Sequence, residues 1–161
     1  MTTESVKTGD VFEVPTLDGR IGYGQIAKDG EELYIVIFKA LHEGGCALET
    51  VHETGILLCG WTLDALIYHG QWKIVGNAAL KSDIPKPCYK VSIDGTPWIE
   101  SFDGDLQHKA SDREWSLYDF RATIAPIRYE RAFSAFHGLA PWEPPFDKLL
   151  VEYARERQMP C

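Results

Sequence analysis

Four residues near the middle of the chain have the types a zinc ion takes: His42, Cys46, His52 and Cys59. Two imidazoles and two thiolates can bind tetrahedrally, but the order His-x3-Cys-x5-His-x6-Cys matches no zinc spacing such as a pair of CxxC units. A cysteine nucleophile needs its thiolate favoured, for instance at a helix N-terminus behind a glycine-rich turn. No such context surrounds Cys46, Cys59, Cys88 or Cys161. Their spacings also match no disulfide framework, so they read as free thiols in a reducing cytosol. Gly19, Gly22 and Gly24 are close enough in sequence to test as a phosphate cradle. Such a cradle follows a strand and opens a helix, whereas these glycines lead into the strand residues Gln25 and Ile26. They read instead as a bulge, or as bare backbone beneath a large ring. Asp103-Gly104-Asp105, with Glu114 twelfth by inclusive count, begins like a calcium loop. Gln107 and Lys109 at ligand positions, and no glycine at the sixth, break that pattern.

The richest constellation is a run of carboxylates. Asp103, Asp105, Asp112, Glu114 and Asp119 spread over one turn and its flanks, and Asp94, Trp98, Glu100 and Trp115 are near in sequence. Carboxylates so arranged can pair with the Lys and Arg of a basic active site, and aromatic anchors in a charged surround are a common composition of tight interfaces. These nine are the candidate residues for binding a basic partner. The competing reading is a solvated acidic loop with Trp98 and Trp115 in the core, where most tryptophans sit. The net charge is −8, and it is unevenly placed: residues 94–120 carry seven acidic and two basic side chains, and residues 1–35 carry seven and three. An acidic chain repels nucleic-acid backbones and speeds its encounter with a basic partner. Acidic surfaces also keep proteins soluble, and that reading stays open for each carboxylate.

The elements that must hold these residues are strands first and helices last. At 161 residues, 45% hydrophobic and 12% aromatic, the chain can build a core and fits one domain, 1–161. No apolar run approaches the ~18 residues of a membrane span, and the polar Met1–Lys7 lacks a leader's apolar region. Gly9–Pro15 and then Asp18–Ile26 read as a short strand, a tight turn at Asp18-Gly19 and a second strand. Leu33–Phe38 is a continuous apolar run, expected as a central strand covered on both faces. Further strands are expected at Ile56–Gly60, Gln71–Gly76, Cys88–Ile93, Pro97–Phe102 and Glu114–Phe120, with the Asp94-Gly95 turn making a second hairpin. Cys46–Val51 and Leu63–Tyr68 are ambiguous. Helices are predicted over Ile127–His137, stopped by Gly138, and over Phe146–Arg157, after the rigid link Pro141–Pro145. The fold class is therefore α+β: a mostly antiparallel twisted sheet or partial barrel built from N-terminal hairpins, with two C-terminal helices packed on it.

The opening hairpin also carries a family resemblance. The pattern Gly-Asp-Val-Phe-x-Val-Pro from Gly9, then Asp-Gly-Arg-x-Gly-Tyr-Gly-Gln-Ile from Asp18, resembles the start of the immunity protein 26 family of bacterial polymorphic toxin systems. The likeness continues more weakly through Tyr34–Phe38 and Trp72–Gly76, and so covers roughly the first half of the chain. It implies an antitoxin in the cytoplasm that binds and silences a cognate toxin, often a nuclease, with no catalysis and no cofactor of its own. With the acidic charge, the expected partner is a basic toxin domain, not nucleic acid and not a membrane; oligomeric state stays open. The alternative is a small-molecule-binding or enzymatic β-domain in which Tyr23, Tyr34, Trp61 and Trp72 line a pocket.

Overall fold

The computed structural model describes residues 6–45 and 48–158. In chain order its strands and helices are β1 (Asp10–Pro15), β2 (Ile21–Lys28), β3 (Leu33–Phe38), β4 (Ile56–Thr62), α1 (Ala65–Tyr68), β5 (Ile74–Asn77), β6 (Tyr89–Ile93), β7 (Thr96–Glu100), β8 (Leu106–Lys109), α2 (Asp112–Leu117), α3 (Pro126–Phe136) and α4 (Val151–Glu156). Two 3₁₀ turns, Leu48–Thr50 and Pro144–Leu149, complete them. They form two antiparallel sheets, neither a closed barrel, so the α+β class holds. The chain divides into two compact units, one from Met1–Ile84 with Thr123–Leu150 and the other from Pro85–Ala122 with Val151–Cys161.

The first unit is built on a five-stranded sheet in the order β4-β3-β2-β1-β5. β3 lies inside it with all six residues buried, which is why its run is apolar at every position. Phe12, Val14, Ile26, Ile35, Ile37 and Leu58 face α3, whose Tyr129, Ala132 and Phe133 are fully buried against them, and Phe12 stacks on Trp72 at 4.8 Å. The glycines of β2 have the predicted purpose, though the rings are remote ones. A Cβ at Gly22 would collide with the ring of Phe133, and one at Gly24 with the ring of Phe12. Tyr23 itself points to the opposite face, with its ring edge-on to His42. On that face Gln25 is wholly buried; its Nε2 donates to Gly9 O and Ala78 O, and its Oε1 accepts from His52 Nε2 at 3.0 Å. The same amide side chain thus ties three segments to the sheet.

Several expectations need correction. Asp18-Gly19 belongs to a longer connection, Thr16–Arg20, in which Gly19 takes a φ of +85° and donates to Thr16 O, while Asp18 accepts from Thr16 Oγ1 and Arg20 Nε. Glu114–Phe120 is not a strand. Ser111 Oγ accepts from Glu114 N and Glu114 Oε1 accepts from Ser111 N, a reciprocal cap that starts α2. β8 had no apolar signal to announce it. The second C-terminal helix breaks in two at Leu150: the prolines set a 3₁₀ turn that places Phe146 and Leu149 in the core of the first unit, and α4 follows. Cys59 is a buried free thiol, but Cys88 is disulfide-bonded, against the free-thiol reading. Cys46 and Cys161 lie outside the described residues.

Candidate functional site

All nine candidate residues fall in the second unit, whose frame is the three-stranded sheet β6-β7-β8. Asp94 and Gly95, with φ of +51° and +80°, make the tight turn between β6 and β7. Because side chains alternate along a strand and paired residues share a face, the register sorts the candidates. Ile99 pairs with Lys90 and His108 on an inner face. There Ile99, Cys88 and Tyr118 form a small core, with Tyr118 at the C-terminal end of α2 and Ala110 just before it packed against the cluster. Trp98 and Glu100 pair with Val91 and Tyr89 on the outer face.

The inner-face candidates are committed to holding the unit together. Glu114 caps α2 and takes a 2.6 Å contact from His108 Nε2; the Ser111 N–H, then His108, hold its carboxyl below the ordinary value. Trp115 receives the Lys90 ammonium over its ring at 4.8 Å and on its carbonyl at 2.9 Å, and the Phe120 ring, edge-on to Trp115, meets the same ammonium at 5.0 Å. Asp119 accepts from the Tyr153 hydroxyl of α4. Burial, then that carboxylate, push the Tyr153 hydroxyl up to about 12. Arg157 lies over the Tyr153 ring and donates to Leu117 O, which closes α4 onto the same loop.

The outer face and the sheet ends are different. Glu100 pairs with Arg121, whose guanidinium also stacks on Tyr89 at 4.4 Å and donates to Ser101 O. Trp98 is half-buried, and among the described residues its indole N–H has no acceptor. Asp94 is exposed at one end of β7, and Asp112 lies at the same end, where Ala110 N donates to Pro97 O. Asp103 and Asp105 are exposed in the turn at the other end, where Ser101 N donates to Asp105 O. Five residues of strand separate these ends by about 16 Å. The nine therefore do not form one patch. The structure brings Trp98 and Glu100 together between two acidic ends and sets Glu114, Trp115 and Asp119 behind them. Lys90, His108, Arg121 and Tyr153, the partners that decide this sorting, were not singled out by sequence; each is a lone polar residue whose significance lies in what the fold puts opposite it.

The first unit holds a groove of about 750 Å³ lined by Pro15, Leu17, Ile127, Glu130, Pro141 and Phe146, among others. Burial raises the Glu130 carboxyl, opposed by the Trp72 indole N–H, which donates to it at 3.1 Å. Tyr23, Tyr34, Trp61 and Trp72 do not line this groove; all four are buried. Among the described residues no group of three or more His, Cys, Asp or Glu is arranged to hold a metal, and no helix is long and apolar enough to cross a membrane.

The family model of immunity protein 26 matches residues 7–96, more than half of the chain. Neither the curated proteins nor the solved structures contain a match. The matched segment takes in β1 to β6 and ends on Thr96, the first residue of β7. Of the nine candidates, only Asp94 lies within it.

Proposed function

The chain belongs to the immunity protein 26 family, and from that premise we propose that it is a cytoplasmic antitoxin that binds one cognate effector and silences it by covering a basic active-site surface. The effector is a toxin of a polymorphic or contact-dependent system, and a nuclease is the class whose catalytic surface best suits an acidic inhibitor. Inhibition is by occlusion, with no substrate turned over. The match over residues 7–96 is the observation that carries this reading. The charge supports it: residues 94–120 have a net charge of −5, and Asp94, Asp103, Asp105 and Asp112 are exposed. Attraction of this kind acts chiefly on the association rate and on the choice of partner.

The test is co-expression with the effector domain encoded beside this gene. Cells making both are expected to grow, cells making the effector alone to die, and the purified pair to run as a one-to-one complex in which effector activity is lost. Absence of both rescue and complex, or turnover of a substrate by the purified chain unaided, overturns the proposal.

A further inference from the structure

Resting on that reading, we propose that the outer face of the β6-β7-β8 sheet, centred on Trp98, is the gripping surface, and that its occupant is a cationic surface of the effector. Three observations carry it. The face is apolar and open: Val91, Ile93, Trp98 and Leu106 lie on it, with Ile93 39% and Leu106 46% exposed. Of the two tryptophans in the acidic segment, Trp115 is occupied by Lys90, whereas Trp98 offers both a ring and an N–H with no acceptor among the described residues, the combination that makes tryptophan a frequent interface anchor. The ends of the face are acidic, with Asp94 at one and Asp103 and Asp105 at the other, so a basic surface laid along β7 meets an apolar centre and an anionic rim. Of the cations here, Arg121 is held by Glu100 and Tyr89. Lys109, which pairs with Trp98 in the ladder, is exposed and works against such a partner. The family match stops at Thr96, so most of β7 and all of β8 lie beyond the matched segment.

The experiment measures association and dissociation rates of the purified chain with the effector domain encoded beside its gene, with thermal midpoints taken for every variant. Trp98→Ala is expected to weaken binding about 30-fold, mainly by faster dissociation. Ile93→Arg places a cation on an already exposed position of the same face, and is expected to weaken binding about tenfold or more through like-charge repulsion. Leu117→Arg, equally exposed on the helix α2, is expected to bind as the parent does. Lys109→Gln is expected to associate faster. Should Trp98→Ala fail to fold, Ile93→Arg against Leu117→Arg decides. Parental binding by Ile93→Arg, or equal loss with Leu117→Arg, overturns the assignment of this face and leaves the antitoxin reading standing. No binding by the parent chain overturns both.

Discussion

Gly22 and Gly24 leave the space that lets two aromatic rings approach the backbone of strand β2. A methyl group at position 22 has nowhere to go while Phe133 is fully buried behind it, so Gly22→Ala is expected to destabilise by about 1–3 kcal/mol, as overpacking does. Phe133→Ala opens a cavity and is expected to cost about 3–5 kcal/mol. The two changes relieve each other, so the double variant should lose less than the sum, read from denaturant midpoints at unchanged slope. This much was half legible: two glycines inside a strand announce a ring over backbone, but which ring depends on a helix far along the chain. Tyr153 gives a second test at this scale. Its hydroxyl titrates at about 12 when folded and near ~10 when unfolded, so the stability it contributes is fully present below that lower value and is lost as pH rises through the interval. Tyr153→Phe removes the donor to Asp119 and should lower stability at neutral pH while flattening the alkaline limb between about pH 10 and 12.

Between residue and fold, α2 shows how a local signal loses to a louder one. Trp115, Tyr118 and Phe120 favour a strand by composition, yet Ser111 and Glu114 stand at the spacing of a reciprocal helix cap, and the cap prevails. Ser111→Ala should therefore cost about 1 kcal/mol and loosen α2 first, visible as faster amide exchange over residues 112–118. Glu114→Gln keeps the size of the side chain and removes the charge. Its carboxyl is held low in the folded state, so its contribution is present above the ordinary carboxylate value near ~4.5 and is lost as pH falls toward the folded value. The variant should accordingly show a shallower acid limb in thermal midpoint against pH, and a limb as steep as the parent's would mean that Glu114 does no more than fill space. The hairpin β6–β7 was readable because Asp94-Gly95 fixes both its turn and its register. β8 was not, because Gln107, His108 and Lys109 take their strand conformation from pairing with β7, not from any pattern of their own.

At the scale of the whole molecule, composition located the acidic segment but not its division. Charge counted along a sequence cannot tell a carboxylate that caps a helix from one that faces solvent; the cap at Ser111 and the Tyr153 hydroxyl are what separate Glu114 and Asp119 from Asp94, Asp103 and Asp105. The fold class was legible because hairpins precede helices; the split into two units was not, since the second unit is closed by the chain's last helix across a long sequence gap. The division makes a kinetic prediction. Replacing Asp94, Asp103, Asp105 and Asp112 by asparagine removes four exposed charges. Association with the effector domain should then slow by about tenfold at low salt and lose most of its salt dependence, while dissociation changes by no more than about twofold. Charges that steer act across a Debye length before contact, whereas the grip of Trp98 acts only after it, so the two sets of variants should separate cleanly into slow-on and fast-off. A parental on-rate that ignores ionic strength would mean that these carboxylates only keep the protein in solution, and that the effector is recognised by shape and apolar contact alone.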